Sequence, residues 1–293
     1  MMELLLSDRA IKTELPAFTM GIINVTDNSF WSGSAFNPSQ GVNGAVDRAL
    51  EMAAAGVDII DVGGESSRPG SFYVSAEEEI KRVIPFIKEL RKHSTVPVSV
   101  DTRKKSVMEE ALANGADILN DISALEDDEE MVSFCAEKKI PVILMHKRGI
   151  PSEMQKNTAY DDILSEVSRY LSERALFCVK NGIEPEKIIL DAGIGFGKSL
   201  AGNIELLNNS DYILKEADSY LKQNGYSGNI RHILMALSRK TMIGDITGKT
   251  VEKRMAGTLA ANLIAVQRGA TMLRVHDAAE TCDMLKVLKS LEV

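Results

Sequence analysis

Residues 58–102 read DIIDVGGESSRPGSFYVSAEEEIKRVIPFIKELRKHSTVPVSVDT. The stretch opens and closes on short apolar runs, DIIDVGG (58–64) and PVSVDT (97–102). Both are continuous rather than alternating, the pattern of parallel strands buried on both faces. Between them, Ser75 and Glu78 stand in capping-box spacing ahead of a helix over 76–92 that buries Ile80, Val83, Ile84 and Ile87. Pro85 lies inside that pattern and predicts a kink. The unit is strand, loop, helix, strand.

Working outward, the unit recurs. FTMGIINV (18–25), DILNDIS (117–123), PVILMH (141–146), IILDAG (188–193), HILMALS (232–238) and TMLRVH (271–276) bring the runs to eight. Helix patterns lie between them. Residues 41–55 put Val42, Ala45, Val46, Ala49, Leu50 and Ala53 on one face ahead of Gly56, which suits a left-handed cap. Residues 160–181, 251–268 and 278–291 also read as helices. Eight strands each followed by a helix predict an α/β fold, a single (β/α)₈ TIM barrel spanning 1–293 as one domain. The alternative is a doubly wound open sheet. No linker or composition shift splits the chain, and polar residues end every strand rather than gathering at one switch point, so closure is favoured. The longer irregular connections, 26–40, 65–75, 147–159 and 239–250, all follow a strand. In a barrel they share the C-terminal face, where active sites sit.

Composition narrows the function. With 34 Lys+Arg against 42 Asp+Glu the formal charge is −8, which argues against a general nucleic-acid binder but not against an anionic substrate. Apolar residues at 44% and charged residues at 26% are ordinary globular values. Cys135, Cys178 and Cys282 are too few and too scattered for a disulfide framework and suggest a reducing compartment. No apolar run approaches the roughly 20 residues of a membrane span. The N-terminal MMELLLSDRAIKTELP does not read as a signal peptide. The expectation is a soluble cytoplasmic protein with no membrane or nucleic-acid partner.

The strand ends carry Asn24, Asp61 with Glu65, Asp101, Asn120 with Asp121, His146, Asp191, Ser238-Arg239-Lys240, and Arg274 with His276. Each could simply cap the following helix, and Asp121 in particular could be structural. Helix capping does not explain why Asn24, Asp101, Asn120, Asp191, Arg274 and His276 lie within apolar runs, where an unpaired polar group is costly. A barrel mouth supplies partners. Asp191, Asp101 and Asn120 match a flat heterocycle with adjacent N–H donors, since one carboxylate accepts two parallel hydrogen bonds. Arg274 and His276, two residues apart on one strand, point the same way. With Asn24 they form a candidate anion or metal-phosphate site, and Lys240 could serve either zone. The four histidines show no HxxxH or HxH, which argues against tight zinc. His93 and His232 read as surface residues, and His146 as either a cap or a fifth-loop site residue.

The chain resembles the dihydropteroate synthase family of pterin-binding enzymes over nearly its whole length. The resemblance rests on MGIINVT (20–26), DIIDVGGESSRPG (58–70), PVSVDT (97–102), ILNDIS (118–123), LMH with G-x-P-x-x-MQ (144–155), LDAGIGFGK (190–198), SRK-x-x-IG (238–244) and RVHD (274–277). It implies condensation of 6-hydroxymethyl-7,8-dihydropterin diphosphate with p-aminobenzoate, with Mg²⁺ as cofactor, a homodimer and sulfonamide competition. Carried over by motif, Lys240, Asp101 and Arg274 would be catalytic. Asn120 and Asp191 would hold the pterin with Met145 and Phe196 flanking its ring. Asn24 and His276 would hold the diphosphate, with Mg²⁺ at Asn24. Ser67, Arg68, Pro69 and Thr241 would border the second substrate, and Arg239 would be a further substrate-binding residue. Trp31 is expected to help cover it. The first loop, NVTDNSFWSGS (24–34), departs from the family at Asp27, Asn28 and Ser32, and Ser67, Ala192, Ile194 and Ala236 are further departures.

Three other readings stand beside it. A diverged or non-catalytic pterin-binding paralogue, suggested by the first-loop changes, would bind the pterin diphosphate without forming product. A methyltetrahydrofolate-dependent methyltransferase would keep Asp101, Asn120 and Asp191 without Lys240, Arg274 and His276. A P-loop nucleotide-binding protein would use AGIGFGKS (192–199) to hold phosphate with Lys198.

Overall fold

The eight apolar runs are eight parallel strands that close on themselves. The computed structural model describes residues 1–25, 41–66, 71, 73–149 and 154–291. A short antiparallel hairpin, β1 (Met2–Leu5) and β2 (Ala10–Thr13), precedes the barrel. The barrel strands are β3 (Phe18–Asn24), β4 (Ile59–Gly63), β5 (Val98–Asp101), β6 (Ile118–Asp121), β7 (Val142–Met145), β8 (Ile188–Asp191), β9 (His232–Met235) and β10 (Met272–Val275). They pair in chain order, and β10 pairs with β3 to complete the ring. No edge is left unpaired, and each strand sits between parallel neighbours as its continuous apolar run requires.

Helices wrap the outside: α1 (Gly41–Ala55), α2 (Ala76–Arg91), α3 (Lys105–Ala113), α4 (Met131–Lys138), α5 (Ile163–Lys180), α6 (Leu200–Asn208), α7 (Ser210–Gln223), α8 (Thr241–Thr247), α9 (Met255–Gln267) and α10 (Ala278–Ser290). Ser75 caps α2 by accepting from the Glu78 N–H at 3.2 Å. The helix runs unbroken through Pro85, which removes one donor without ending the ladder because the flanking Val83, Ile84, Phe86 and Ile87 are anchored in the core. Gly56 ends α1 region at φ 101°, as its position predicts. Two expectations need correction. The connection 239–250 contains α8, a short helix that ends at Gly248 (φ 67°). The stretch after β8 also carries two helices, α6 and α7, rather than one.

The barrel encloses one apolar layer and the helices cover another. Phe18, Met20, Ile59, Ile118, Ile143, Ile189, Leu234 and Met272 fill the lumen as one cluster. A separate, larger cluster joins the outer strand faces to the helices. Side chains two apart on a strand share a face. One period beyond Ile59, Ile118, Ile143, Ile189 and Met272 stand Asp61, Asn120, Met145, Asp191 and Arg274. The polar residues of the strand ends are therefore the next storey of the lumen, built on a dry floor.

The opposite end of the lumen is plugged. Leu4 and Leu6 belong to the lumen cluster, so the N-terminal hairpin closes the barrel from below. His232 is buried there rather than on the surface, a correction to its reading as a surface residue. Its Nε2 lies 2.9 Å from the Glu3 carbonyl, which can only accept, so Nε2 carries the proton. Burial pushes its pKa below the ordinary value. Asp117 ties the same end together, accepting from Arg9 at 2.6 Å, Arg91 at 3.0 Å and the Val98 N–H at 2.9 Å. Because Leu4 is fully buried, Leu4→Ala should destabilise the fold by about 2–5 kcal/mol, measured by urea denaturation, while leaving the mouth geometry intact.

Candidate active site

At the mouth, one guanidinium joins three strands. Arg274 of β10 donates from Nε to Asp61 Oδ2 at 2.7 Å and from Nη2 to Asp101 Oδ2 at 2.8 Å. Asn120 of β6 adds a donor, with Nδ2 at 3.2 Å from Asp61 Oδ1. In the sequence Asp61 is a strand-end acid with nothing local to mark it as part of the site. The missed signal is its register, one period beyond Ile59 on the lumen face. Burial pushes the Asp101 carboxyl up to about 7, the pull of Arg274 being outweighed with help from Asp61. Burial works against the Arg274 charge, yet Asp61 and Asp101 hold its pKa above the ordinary value. Met145 is buried at the end of β7, opposite Asp191 in register. Asp191 accepts from the Gly193 N–H at 2.7 Å, and burial raises its pKa.

The loop after β8 brings Phe196 and Lys240 together. Lys240 Nζ donates to the Ile194 carbonyl and lies 4.8 Å from the Phe196 ring centroid, a cation–π contact. Burial lowers the Lys240 pKa to about 8, with Asp191 opposing and Arg274 reinforcing the shift. The loop is fastened by Lys198. Its buried ammonium donates to the carbonyls of His146 at 3.2 Å, Gly193 at 2.9 Å and Phe196 at 3.0 Å. Gly193, at φ 65°, is where the chain passes closest: a Cβ there would lie 1.9 Å from the His146 oxygen. In a P-loop the lysine faces phosphate. Here its donors are turned to backbone carbonyls, two in its own loop and one at the end of β7, which removes the basis of the nucleotide-binding reading. Burial also lowers the Lys198 pKa to about 7.

The rim holds the remaining candidates. Asn24 is exposed at the end of β3. His276 donates its N–H to Ser238 Oγ at 3.1 Å, and its carbonyl accepts from Arg48 at 3.1 Å. Thr241 is exposed at the start of α8. Arg239 forks onto Asp277, with Nε 2.9 Å from Oδ2 and a second bond from Nη2 to Oδ1. Ser67, Arg68 and Pro69 of the second loop, and Asp27, Asn28, Trp31 and Ser32 of the first, lie outside the described residues. The described base of the second loop is tied down by an ionic network that no motif announces. Glu65 accepts from Lys104 at 2.7 Å, from the Val74 N–H at 3.2 Å and from the buried Arg103. Lys104 also reaches Glu79 at 2.6 Å. Asp121 proves structural, accepting from Ser123 N at 2.7 Å and Leu125 N at 3.0 Å, and so holding Ala124 and Leu125 at positive φ.

Known proteins share this fold. The profile of the pterin-binding enzymes matches residues 20–276. The chain belongs to the pterin-binding enzyme family. It is 42% identical to the dihydropteroate synthase of Neisseria meningitidis serogroup C over 276 residues, covering 94% of this chain and 92% of that one. A structure of Yersinia pestis dihydropteroate synthase with a sulfonamide drug complex superposes with a TM-score of 0.88 at 34% identity, covering 99% of each chain. The Xanthomonas albilineans dihydropteroate synthase in complex with 7,8-dihydropteroate gives a TM-score of 0.81 at 37% identity, covering 99% of each chain. The family thus matches the barrel on both sequence and shape.

His146 offers a test of burial at this end of the barrel. Its ring packs edge-on to Tyr170, its Nδ1 has no hydrogen-bond partner among the described residues, and burial lowers its pKa to about 3. The unfolded chain therefore takes up a proton first as pH falls below the ordinary value of about 6.5. The stability owed to the neutral ring is complete above that pH and is lost on acidification. Relative to His146→Met, the natural protein should lose roughly 1.4 kcal/mol per pH unit between about pH 6 and pH 4, measured by urea denaturation across that range.

Proposed function

We propose that this protein is a dihydropteroate synthase, joining 6-hydroxymethyl-7,8-dihydropterin diphosphate to p-aminobenzoate with release of pyrophosphate. The observation that carries the reading is the storey of polar side chains set directly on the dry lumen floor: Asp101, Asn120, Asp191 and Arg274, with Lys240 reaching in beside Phe196. Near-full-length similarity to curated dihydropteroate synthases supports it over the methyltransferase and non-catalytic readings.

In the reaction, the C–O bond from the pterin methylene to the diphosphate breaks, the amine nitrogen of p-aminobenzoate bonds to that carbon, and the nitrogen releases a proton. Asp191, Asn120 and Asp101 present acceptors and an amide to the pterin edge. Phe196 and Met145 offer faces to its ring. Lys240 places positive charge beside the heterocycle, since with its pKa lowered to about 8 the ammonium still predominates at neutral pH. His276 and Arg274 face the diphosphate as charge builds on the leaving group. Asn24 fits a Mg²⁺ site of the kind that takes one or two protein oxygens and completes its shell with substrate phosphates and water. Its exposed amide stands at the rim, and no cluster of three or more His, Cys, Asp or Glu that could cage a metal occurs among the described residues. When bound, Mg²⁺ would neutralise charge on the diphosphate.

Ser67, Arg68, Pro69 and Thr241 are assigned to the p-aminobenzoate side, where sulfonamides should compete. The three cysteines are free and buried, which supports a reducing, cytoplasmic setting, and no helix among the described residues is long and apolar enough to cross a membrane.

Mixing the pterin diphosphate, p-aminobenzoate and Mg²⁺ should yield dihydropteroate and pyrophosphate, followed by chromatography and phosphate release. Lys240→Ala and Asp191→Ala should each lower kcat/KM by at least about 100-fold, equivalent to roughly 2.7 kcal/mol, with the folded circular dichroism spectrum retained. Product formation at the natural rate in either variant would remove that residue from the site.

A homodimer is part of the same reading. Leu200 and Ile204 on α6, Ile246 on α8, and Met255 and Ile264 on α9 are apolar and exposed on three mutually contacting helices. Sedimentation velocity should show a dimer that Ile264→Arg shifts toward monomer. A natural protein that stays monomeric at micromolar concentration would refute it.

A further inference from the structure

Arg239 stands at φ 58°, in the left-handed region that residues with a Cβ seldom occupy. Such a residue persists only where its surroundings determine it. Three contacts do so. Its N–H donates to the buried Thr258 Oγ1 at 3.1 Å, its carbonyl accepts from Arg254 Nη1 at 3.0 Å, and its guanidinium is forked on Asp277. Arg254 also donates from Nε to the Lys249 carbonyl at 3.1 Å, so its planar head is fixed at both edges. That head lies against Gly244 of α8. A Cβ on Gly244 would come within 2.1 Å of Arg254 Nη2 and 2.5 Å of its Cζ. Gly244 is helical and has no need of glycine's backbone freedom. The missing side chain clears a slot for the guanidinium.

The residue after Arg239 is Lys240, extended at φ −64° and ψ 158°, whose side chain reaches Ile194 and Phe196 in the loop after the neighbouring strand β8. The direction in which Lys240 leaves the backbone is therefore set by the turn at Arg239. We propose that Arg254, seated in the slot left by Gly244, is a positioning residue for Lys240: it holds the Arg239 carbonyl so that the left-handed turn delivers the ammonium over Phe196. The contribution of Lys240 to turnover rests on the synthase reading above. Its placement by Arg254 does not.

The test uses the full chain with Gly244→Ala, Arg254→Ala and the double substitution. Each single change should lower kcat/KM for the pterin diphosphate roughly tenfold. The double variant should be no worse than either single one, because both remove the same contact. Added guanidinium ion should restore Arg254→Ala but not Gly244→Ala, whose slot is filled. A second readout needs no turnover. The pH dependence of Lys240 acylation, followed by mass spectrometry, reports an amine faced by Asp191, Arg274 and Lys198. Both single variants should move its midpoint upward by roughly one unit as the ammonium swings out of its buried seat. If the natural protein makes no dihydropteroate yet the midpoint moves, the synthase reading fails and the positioning role stands. Natural midpoints in both folded variants would overturn the positioning role, as would losses that add in the double variant.

Discussion

A guanidinium between two buried carboxylates is an expensive arrangement, and the mouth of this barrel is organised around one. Arg274 reaches Asp61 and Asp101 from across the ring. Taking these charges out of water costs several kcal/mol per ion before any attraction is counted. Their geometry is acceptable only because neighbouring strands supply further donors, as Asn120 does for Asp61. Removing one member would leave another charge buried without a partner, so β4, β5, β6 and β10 are held in mutual register by side chains as well as by their ladders. The raised Asp101 pKa is the residue of this compromise. Burial still outweighs the cation at its side. A polar heterocycle entering the lumen meets groups already desolvated and already aimed, which limits the reorganisation left for binding.

Much of this was legible in the residues. The runs around Ile59, Val98 and Ile118 had the length and continuity of doubly buried strands, and no competing structure suits such runs in series. Their number and order, with polar residues at every strand end, favoured a barrel over a doubly wound open sheet. The site was legible for a related reason, since Asp101, Asn120, Asp191 and Arg274 interrupt apolar runs where only a lumen could satisfy them. Other features depend on contacts that no local pattern encodes. His232 looks polar in sequence, but its imidazole is paired to a carbonyl of a strand more than two hundred residues earlier. Lys198 sits in a phosphate-like motif and is turned inward by carbonyls of its own loop and of His146 after β7. α8 is seven residues long, below the length at which periodicity is informative. Arg103 and Lys104 carry no motif, and only the fold brings Glu65 and Glu79 to them.

Two loops with different jobs show how rigidity is distributed. The segment after β8 is fastened from within by a buried ammonium with three acceptors. The base of the second loop is fastened by ion pairs that span β4, α2 and β5 ends. The former is insensitive to salt because its donors see no solvent. The latter is partly exposed and is screened to a degree set by ionic strength. The loop after β8 is thus built more firmly than the base of the loop after β4.

The N-terminal hairpin has a consequence for traffic. With Leu4 and Leu6 closing the lower end of the lumen, the barrel has a single doorway. A molecule seated on the floor beside Asp101 and Asp191 must arrive before anything occupies the rim, and nothing can be pushed out through the back. Sequence of passage is in this sense a property of the plug, settled at the end of the barrel farthest from the chemistry.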